Sequence, residues 1–274
     1  MLSRRYRPVP LLGVVVTAAA LIPYLGVEAF EPGFPIGIAA TVVGGEILER
    51  RGMVGLPVLL AGIAAVVFDP MFVDTAWVVA GTVAFIVVAG WGLARLDDAL
   101  GHTGVPALMM AGSIFGVWAA VPDTEFASIL LGAMAATVLT AWPRALAEIG
   151  PGGAAGVATM MAIAIAMGGE QRPGSVAGAW FTVGAAILVP VVVKFLSTSS
   201  RGAFARRRWW IFGIHAVLVL VTSRVAAHQE LPEMALAIAI PTMVVGLLAV
   251  WWLATGDGPR EKPRPSVATS DRSQ

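Results

Sequence analysis

Ionisable residues are rare within the apolar parts of this chain, so the few that could do chemistry there stand out. His215 lies inside a long apolar run, and Glu46 lies near the end of another. A histidine in such a run can transfer protons or bind a polar ligand, and it can equally be a neutral residue hydrogen-bonded to a neighbouring helix. Glu46 can face a water-filled cavity or pair with Arg50 four residues later. We expect the hydrogen-bonded histidine and the Glu46–Arg50 pair.

A second set of candidates occupies the short polar segments between alternate apolar runs. The residues of interest there are Asp123, Glu125, Glu170, Arg172, Arg224 and His228. Carboxylates in such a place attract cations or activate a hydroxyl group, and arginines hold phosphate. The simpler interpretation, which we favour, is that they are solvated loop ends, with Asp123 also suited to cap the next helix.

Other kinds of site find little support in the sequence. The chain has no cysteine, which excludes disulfides, thiolate metal sites and iron–sulfur clusters. Asp97, Asp98 and His102 are too few ligands for a metal. The motifs of membrane metalloproteases, nucleotide hydrolases and serine hydrolases are missing. We therefore expect no catalytic residue, no metal and no cofactor.

The composition identifies the environment in which these residues must be positioned. Of 274 residues, 58% are hydrophobic and 13% are charged, and the mean hydropathy is +0.83. A soluble domain carries roughly 25% charged residues. The balance argues against a soluble globular enzyme, a disordered chain and a nucleic-acid-binding domain, and it favours the lipid bilayer as the partner.

Cutting the chain at its charged residues leaves ten apolar runs, most of them long enough to cross a bilayer as a helix, which takes about 17–25 residues. They are apolar on both alternating faces, unlike the strands of a membrane barrel. The predicted fold is an all-α polytopic transmembrane helix bundle. Its spans are residues 8–27, 32–48, 52–68, 75–94, 103–122, 126–143, 150–169, 173–194, 209–227 and 234–254.

The basic residues predict the orientation of these spans. With the N-terminus in the cytoplasm, sixteen of the 18 lysines and arginines fall on the inner side, and only Arg172 and Arg224 fall outside. The arginine-rich, alanine-rich composition suggests a bacterial cytoplasmic (inner) membrane, with both termini cytoplasmic. Residues 257–274 are polar and proline-rich, which predicts a disordered cytoplasmic tail. Anionic lipid headgroups are the expected partners of Arg206, Arg207 and Arg208.

Weak internal similarity suggests repeated helical hairpins. The segments 56–62 and 105–112 share a proline followed by small and apolar residues, about one hairpin apart. Small residues also crowd several spans, which favours close helix packing within the chain and leaves a homo-oligomer or a membrane-protein partner open.

Three functions are compatible with this sequence. Internal prolines, hairpin similarity and the lack of catalytic motifs favour a non-enzymatic, transporter- or permease-like protein for a small or amphipathic solute. The alternative is an envelope-assembly enzyme or accessory subunit that acts on a lipid-linked substrate at the outer face. A structural membrane subunit of a complex is the third.

Overall fold

A computed structural model describes about half of the chain, and all that follows concerns that part. The described residues are 42–43, 47, 76–100, 104–120, 132–138, 149–168, 173–196, 207–222, 224 and 232–255. Asp97 and Asp98 are described by their backbone alone. The other residues singled out above that lie outside the described residues altogether are Glu46, Arg50, His102, Asp123, Glu125, Glu170, Arg172, Arg206, His228 and the tail 257–274.

The described residues form helices and no strand, which confirms the all-α prediction for this part of the chain. Six α-helices and one π-helical turn have defined bounds. They are α1 (Ala76–Leu100), α2 (Gly104–Ala120), α3 (Pro151–Gly168), α4 (Pro173–Leu196), α5 (Arg208–Val217) with its π turn (Leu218–Thr222), and α6 (Pro232–Thr255). Residues 132–138 are also helical.

The limits of α1 and α5 differ from those of the apolar runs predicted for them. α1 continues beyond residue 94, through Arg95, to Leu100. A charged residue ends an apolar run without ending a helix, because backbone hydrogen bonding continues wherever the side chain can reach a polar partner or water. In the run 209–227, regular α-helix ends at Val217 and a π turn follows.

Burial identifies α3 as the innermost helix. Every residue from Gly152 to Ala166 is buried, on all sides of the helix. A helix that is apolar all round must be enclosed by other helices. α3 packs mainly against α1, α1 also packs against α4, and α6 lies along α4.

Glycines set the closest approach, between α1 and α4. A Cβ atom on Gly81 would lie 2.3 Å from the ring of Trp180, and one on Gly92 would lie 2.7 Å from the side chain of Ile187. These two glycines of α1 thus each receive a large residue of α4. Since both pairs advance together along the chain, α1 and α4 run in the same direction.

Short connections extend this result to the other helices. Three residues join α1 to α2 and four join α3 to α4, and connections that short place helices antiparallel. Because α1 and α4 are parallel, α2 and α3 are also parallel to each other. The described helical segment 132–138 lies between α2 and α3 in the sequence.

Two contacts give the direction of α5 relative to α6, the last two described helices. The side chain of Leu218 packs against Gly246, where an added Cβ would lie 2.4 Å from it, and Arg207 contacts the carbonyl of Leu253. Positions rise along α5 as they fall along α6, so the two helices are antiparallel.

Two helices of the described part are long and apolar enough to cross a membrane, judged by length and composition: Val79–Leu96 within α1 and Glu233–Ala254 within α6. Three further apolar helices are shorter, Gly104–Ala120, Gly152–Ala166 and Arg208–Val221.

The close approach of α1 and α4 can be tested with Gly81→Ala. The new methyl group would overlap the Trp180 ring, so we expect a loss of about 1–3 kcal/mol in the free energy of unfolding. The measurement is thermal unfolding of the purified protein in detergent. Gly213→Ala is the matched control, because an added Cβ there meets nothing within 4 Å and alanine favours the helix. Equal stability of the two variants would contradict this packing.

Candidate functional site: a histidine junction between three helices

The candidate site lies where α2, α4 and α5 meet, and His215 of α5 is its centre. The side chain is 2% exposed. Its neighbours are Met109 and Ser113 on α2 and Ala186 on α4. The prediction that His215 is hydrogen-bonded to a neighbouring helix is confirmed, and the structure adds that two different helices supply its partners.

Pro190 explains why α4 needs a partner at this point. A proline inside a helix has no N–H to donate to the carbonyl four residues earlier. Pro190 is inside α4, and the residue four positions earlier is Ala186. The Nδ1 atom of His215 lies 3.2 Å from the Ala186 oxygen. His215 therefore supplies from α5 the hydrogen bond that the proline removed from α4.

The other ring nitrogen faces α2. Nε2 lies 3.0 Å from the Met109 carbonyl oxygen and 3.2 Å from the Ser113 hydroxyl oxygen. The hydroxyl of Ser113 also lies 2.9 Å from the Met109 oxygen, within its own helix. His215 thus has a carbonyl at one nitrogen, and a carbonyl with a hydroxyl group at the other.

The backbone of α5 is irregular just beyond the histidine. The π turn begins at Leu218, three residues after His215, and the cap of the preceding α-helix donates to the carbonyls of Ile214 and His215. Single π turns inside helices occur frequently at functional sites. The junction therefore joins a helix that contains a proline to a helix followed by a π turn.

Two arginines attach the ends of this helical segment to other helices. Arg207, just before α5, donates to the Leu253 carbonyl near the end of α6. Arg224 donates to the Ala119 carbonyl at the end of α2, with Nη1 and the oxygen 3.1 Å apart. Carbonyls in the last turn of a helix have no intrahelical donor, and a cation there also interacts favourably with the helix dipole.

These contacts also give the direction of α2 relative to α5. His215 contacts Met109 and Arg224 contacts Ala119, so positions rise together along the two helices. α2 and α5 are therefore parallel.

Of the candidates from the sequence, the structure describes His215 and Arg224 by side chain. They do not share a site, since Arg224 caps α2 at an exposed end of the bundle and His215 is enclosed. The remaining outer-face candidates and Glu46 lie outside the described residues.

Sequence reasoning missed Ser113 and the Ala186 carbonyl, and it counted Pro190 only among the internal prolines of the chain. The proline was a visible signal, because its position fixes which carbonyl loses a donor. The identity of the donor depends on the contact between α4 and α5, which lie next to one another only in the folded chain.

Within the described residues, no group of three or more histidine or acidic side chains is placed to hold a metal ion. Comparisons with protein-family models, with curated proteins and with solved structures find no match to this chain.

The bridging role of His215 can be tested by His215→Leu. Leucine fills similar space but leaves the Ala186 carbonyl without a donor, which costs about 1–3 kcal/mol in a buried setting. We expect that loss in the free energy of unfolding in detergent. The control is Thr242→Val, whose hydroxyl bonds only Ile238 of its own helix and whose loss should cost less than about 0.5 kcal/mol. Equal losses would show that the hydrogen bond between His215 and Ala186 contributes no more to stability than the intrahelical bond of Thr242.

Proposed function

We propose that this chain is an integral protein of a bacterial cytoplasmic membrane, with about ten transmembrane helices, and that it works as a permease-like carrier of a small or amphipathic solute. The His215 junction is the element that changes arrangement during transport. The observation that carries the proposal is a buried polar contact located where two helices are irregular.

The surface of α5 and α6 supports the membrane environment. Large apolar side chains are exposed along these helices, with Val245 65% exposed. They recur at helical spacing over most of α6, at Met234, Ile240, Val244, Val245 and Leu248. A continuous exposed apolar stripe of this kind is unfavourable in water and suits contact with lipid tails. At 1.5 Å per residue, the 24 residues of α6 extend about 36 Å, compared with about 30 Å for the hydrocarbon core.

The end of the bundle at which α5 begins has the character of a cytoplasmic boundary. The helix directions bring together there the end of α1 with Arg95, the end of α4 with Lys194, and the start of α5. Exposed tryptophans lie at the same end, at Trp209, Trp210, Trp251 and Trp252. Tryptophan favours the membrane interface, and basic residues favour its cytoplasmic side.

Helix directions support the part of the ten-span proposal that runs from residue 75 onward. In that proposal α1 and α4 cross in one direction, α2 and α5 cross in the other, and α6 reverses α5. The contacts of the described helices agree with each of these relations. Removing a single crossing between α2 and α5 would reverse one helix relative to the other.

The junction favours transport over a purely structural role. Transporters bind and release solutes where helices are discontinuous near the middle of the membrane, because there the backbone offers polar groups. Here α4 contains Pro190, which removes one backbone donor without ending the helix, a π turn follows α5, and His215 joins the two helices. An ionisable residue inside a span is costly to keep, so it points to function.

The alternative of an envelope-assembly protein rests on the outer-face residues. Arg224, one of the two outer arginines, donates to the Ala119 carbonyl, which gives it a structural partner. That contact favours the permease over the outer-face site, and Asp123, Glu125, Glu170, Arg172 and His228 stay a prediction. A structural subunit is the outcome to expect if no solute is carried.

The topology can be tested with single cysteines, because the chain has none of its own. We expect Gln171→Cys to react with a membrane-impermeant maleimide in intact cells, and Ala203→Cys to react only after permeabilisation. Val245→Cys, exposed on the apolar stripe, should stay unreactive in the bilayer and react in denaturant. Labelling of Ala203→Cys from outside would overturn the orientation, and labelling of Val245→Cys in intact membranes would contradict lipid contact.

Transport itself can be tested in proteoliposomes. Vesicles loaded with a panel of small cations, anions and amphipathic solutes should release one class faster than vesicles that contain an unrelated polytopic protein. We expect His215→Leu to slow that release about tenfold, while Thr242→Val leaves it unchanged. If every class is retained as in the control vesicles, the permease proposal is wrong and the structural role is favoured.

A further inference from the structure

We infer that His215 is a proton-binding site in which Pro190 decides which ring nitrogen takes up the proton. Nδ1 carries a hydrogen at all times, because it faces the Ala186 carbonyl that Pro190 leaves without a donor. Nε2 is the nitrogen that binds and releases the proton. The inference rests on the proposed function only for its purpose, which is to couple a proton to solute movement.

The neutral ring has one N–H, and the partners select where it lies. With the hydrogen on Nδ1, the ring donates to the Ala186 oxygen and Nε2 accepts from the Ser113 hydroxyl, 3.2 Å away. With the hydrogen on Nε2, the lone pair of Nδ1 would face the lone pairs of the Ala186 oxygen at 3.2 Å. That arrangement is repulsive and leaves the Ala186 oxygen without the donor that Pro190 removed. The first tautomer places the Nε2 lone pair 3.0 Å from the Met109 oxygen, but that carbonyl keeps its backbone donor within α2, so the first tautomer is the more stable one.

The same partners also accommodate the charged ring. When a proton from water adds to Nε2, the new N–H donates to the Met109 oxygen, 3.0 Å away. The Ser113 hydroxyl then turns from Nε2 to the Met109 oxygen, which it already approaches to 2.9 Å. No heavy atom has to move. A histidine with a purely structural role needs partners for one form, whereas this one has partners for both.

The surroundings leave this proton as the titrating charge of the junction. α2 contains no charged residue, and the π turn contains none. The charged residues of the other packed helices are Lys194, two turns beyond Ala186 on α4, Glu233 in the first turn of α6, and Arg208 at the start of α5. Each lies toward an end of its helix, so the charged ring would be stabilised by the carbonyls of Ala186 and Met109.

Gly112 of α2 lies beside the Nε2 edge of the ring. An added Cβ there would lie 3.8 Å from both Nε2 and Cδ2 of His215, which is ordinary van der Waals contact. Because His215 is enclosed in this structure, a proton reaches Nε2 only when α2 and α5 separate, and the bond between Nδ1 and Ala186 is not part of that contact.

The test is nitrogen NMR of the full chain in lipid nanodiscs, with ¹⁵N-labelled histidine and with His102→Gln and His228→Gln to leave one signal. We expect the neutral ring to carry its hydrogen on Nδ1, and Nε2 to gain one as the pH falls. Pro190→Ala restores an N–H for the Ala186 carbonyl, so the tautomer should shift toward Nε2–H. Pro241→Ala, which restores an N–H inside α6, is the matched control and should change nothing.

Ser113→Ala provides a second, independent variant. It removes the hydroxyl that donates to neutral Nε2 and keeps the Met109 carbonyl that accepts from the charged ring. The ratio of charged to neutral ring at a given pH should therefore rise about fivefold, as the loss of one hydrogen bond implies. An Nε2–H tautomer in the parent protein, no tautomer shift in Pro190→Ala, or a ring that stays neutral until the protein unfolds would each overturn the inference. None of these readouts requires a solute, so they stand apart from the transport assay.

Discussion

The structure depends on the need of every buried backbone carbonyl for a hydrogen-bond donor. An unpaired carbonyl in an apolar interior costs more than any single packing contact returns, so helix ends and proline positions require partners from elsewhere. Three carbonyls, one buried opposite a proline and two near helix ends, are satisfied by side chains of one short stretch, Arg207 to Arg224. His215 serves Ala186 on α4, Arg224 serves Ala119 on α2, and Arg207 serves Leu253 on α6.

Elsewhere the helices pack through side chains of complementary size rather than through polar contacts. α1 and α4 approach closely because glycines on one helix receive large residues of the other, as Gly81 receives Trp180. Small residues are what allow helices to associate where burial of apolar surface gives little advantage. The bundle therefore combines a tightly packed part around α3 with a part around α5 that is attached by a few directed hydrogen bonds.

Hydropathy and charge along the sequence predict some parts of this arrangement and not others. Apolar periodicity and charge report local preference, so the helical nature of α2, α3, α4 and α6 and their approximate limits could be anticipated. The end of α1 could not be anticipated, because the helix continues past Arg95 although the apolar run ends before that residue. The π turn at Leu218 leaves no mark that hydropathy detects.

The candidate site divides in the same way. His215 could be singled out because an ionisable residue in an apolar run is rare, and Pro190 because its ring excludes a donor. That these two residues complete one another depends on α4 and α5 lying side by side, which spacing along the chain does not encode. Ser113 was hidden among small residues of α2 that look like ordinary packing positions.

These two parts of the bundle differ in how they can respond to a change of charge. Van der Waals contacts such as those of Gly81 with Trp180 are insensitive to protons, whereas the contact of His215 with α2 changes its donor and acceptor roles when one proton is added. The contact of His215 with α4 keeps its role in both forms, since Ala186 accepts in each. A proton bound at this junction therefore changes the contact between α2 and α5 and leaves the contact between α4 and α5 as it is. The addition of one charge thus affects one of the two helix pairs and not the other.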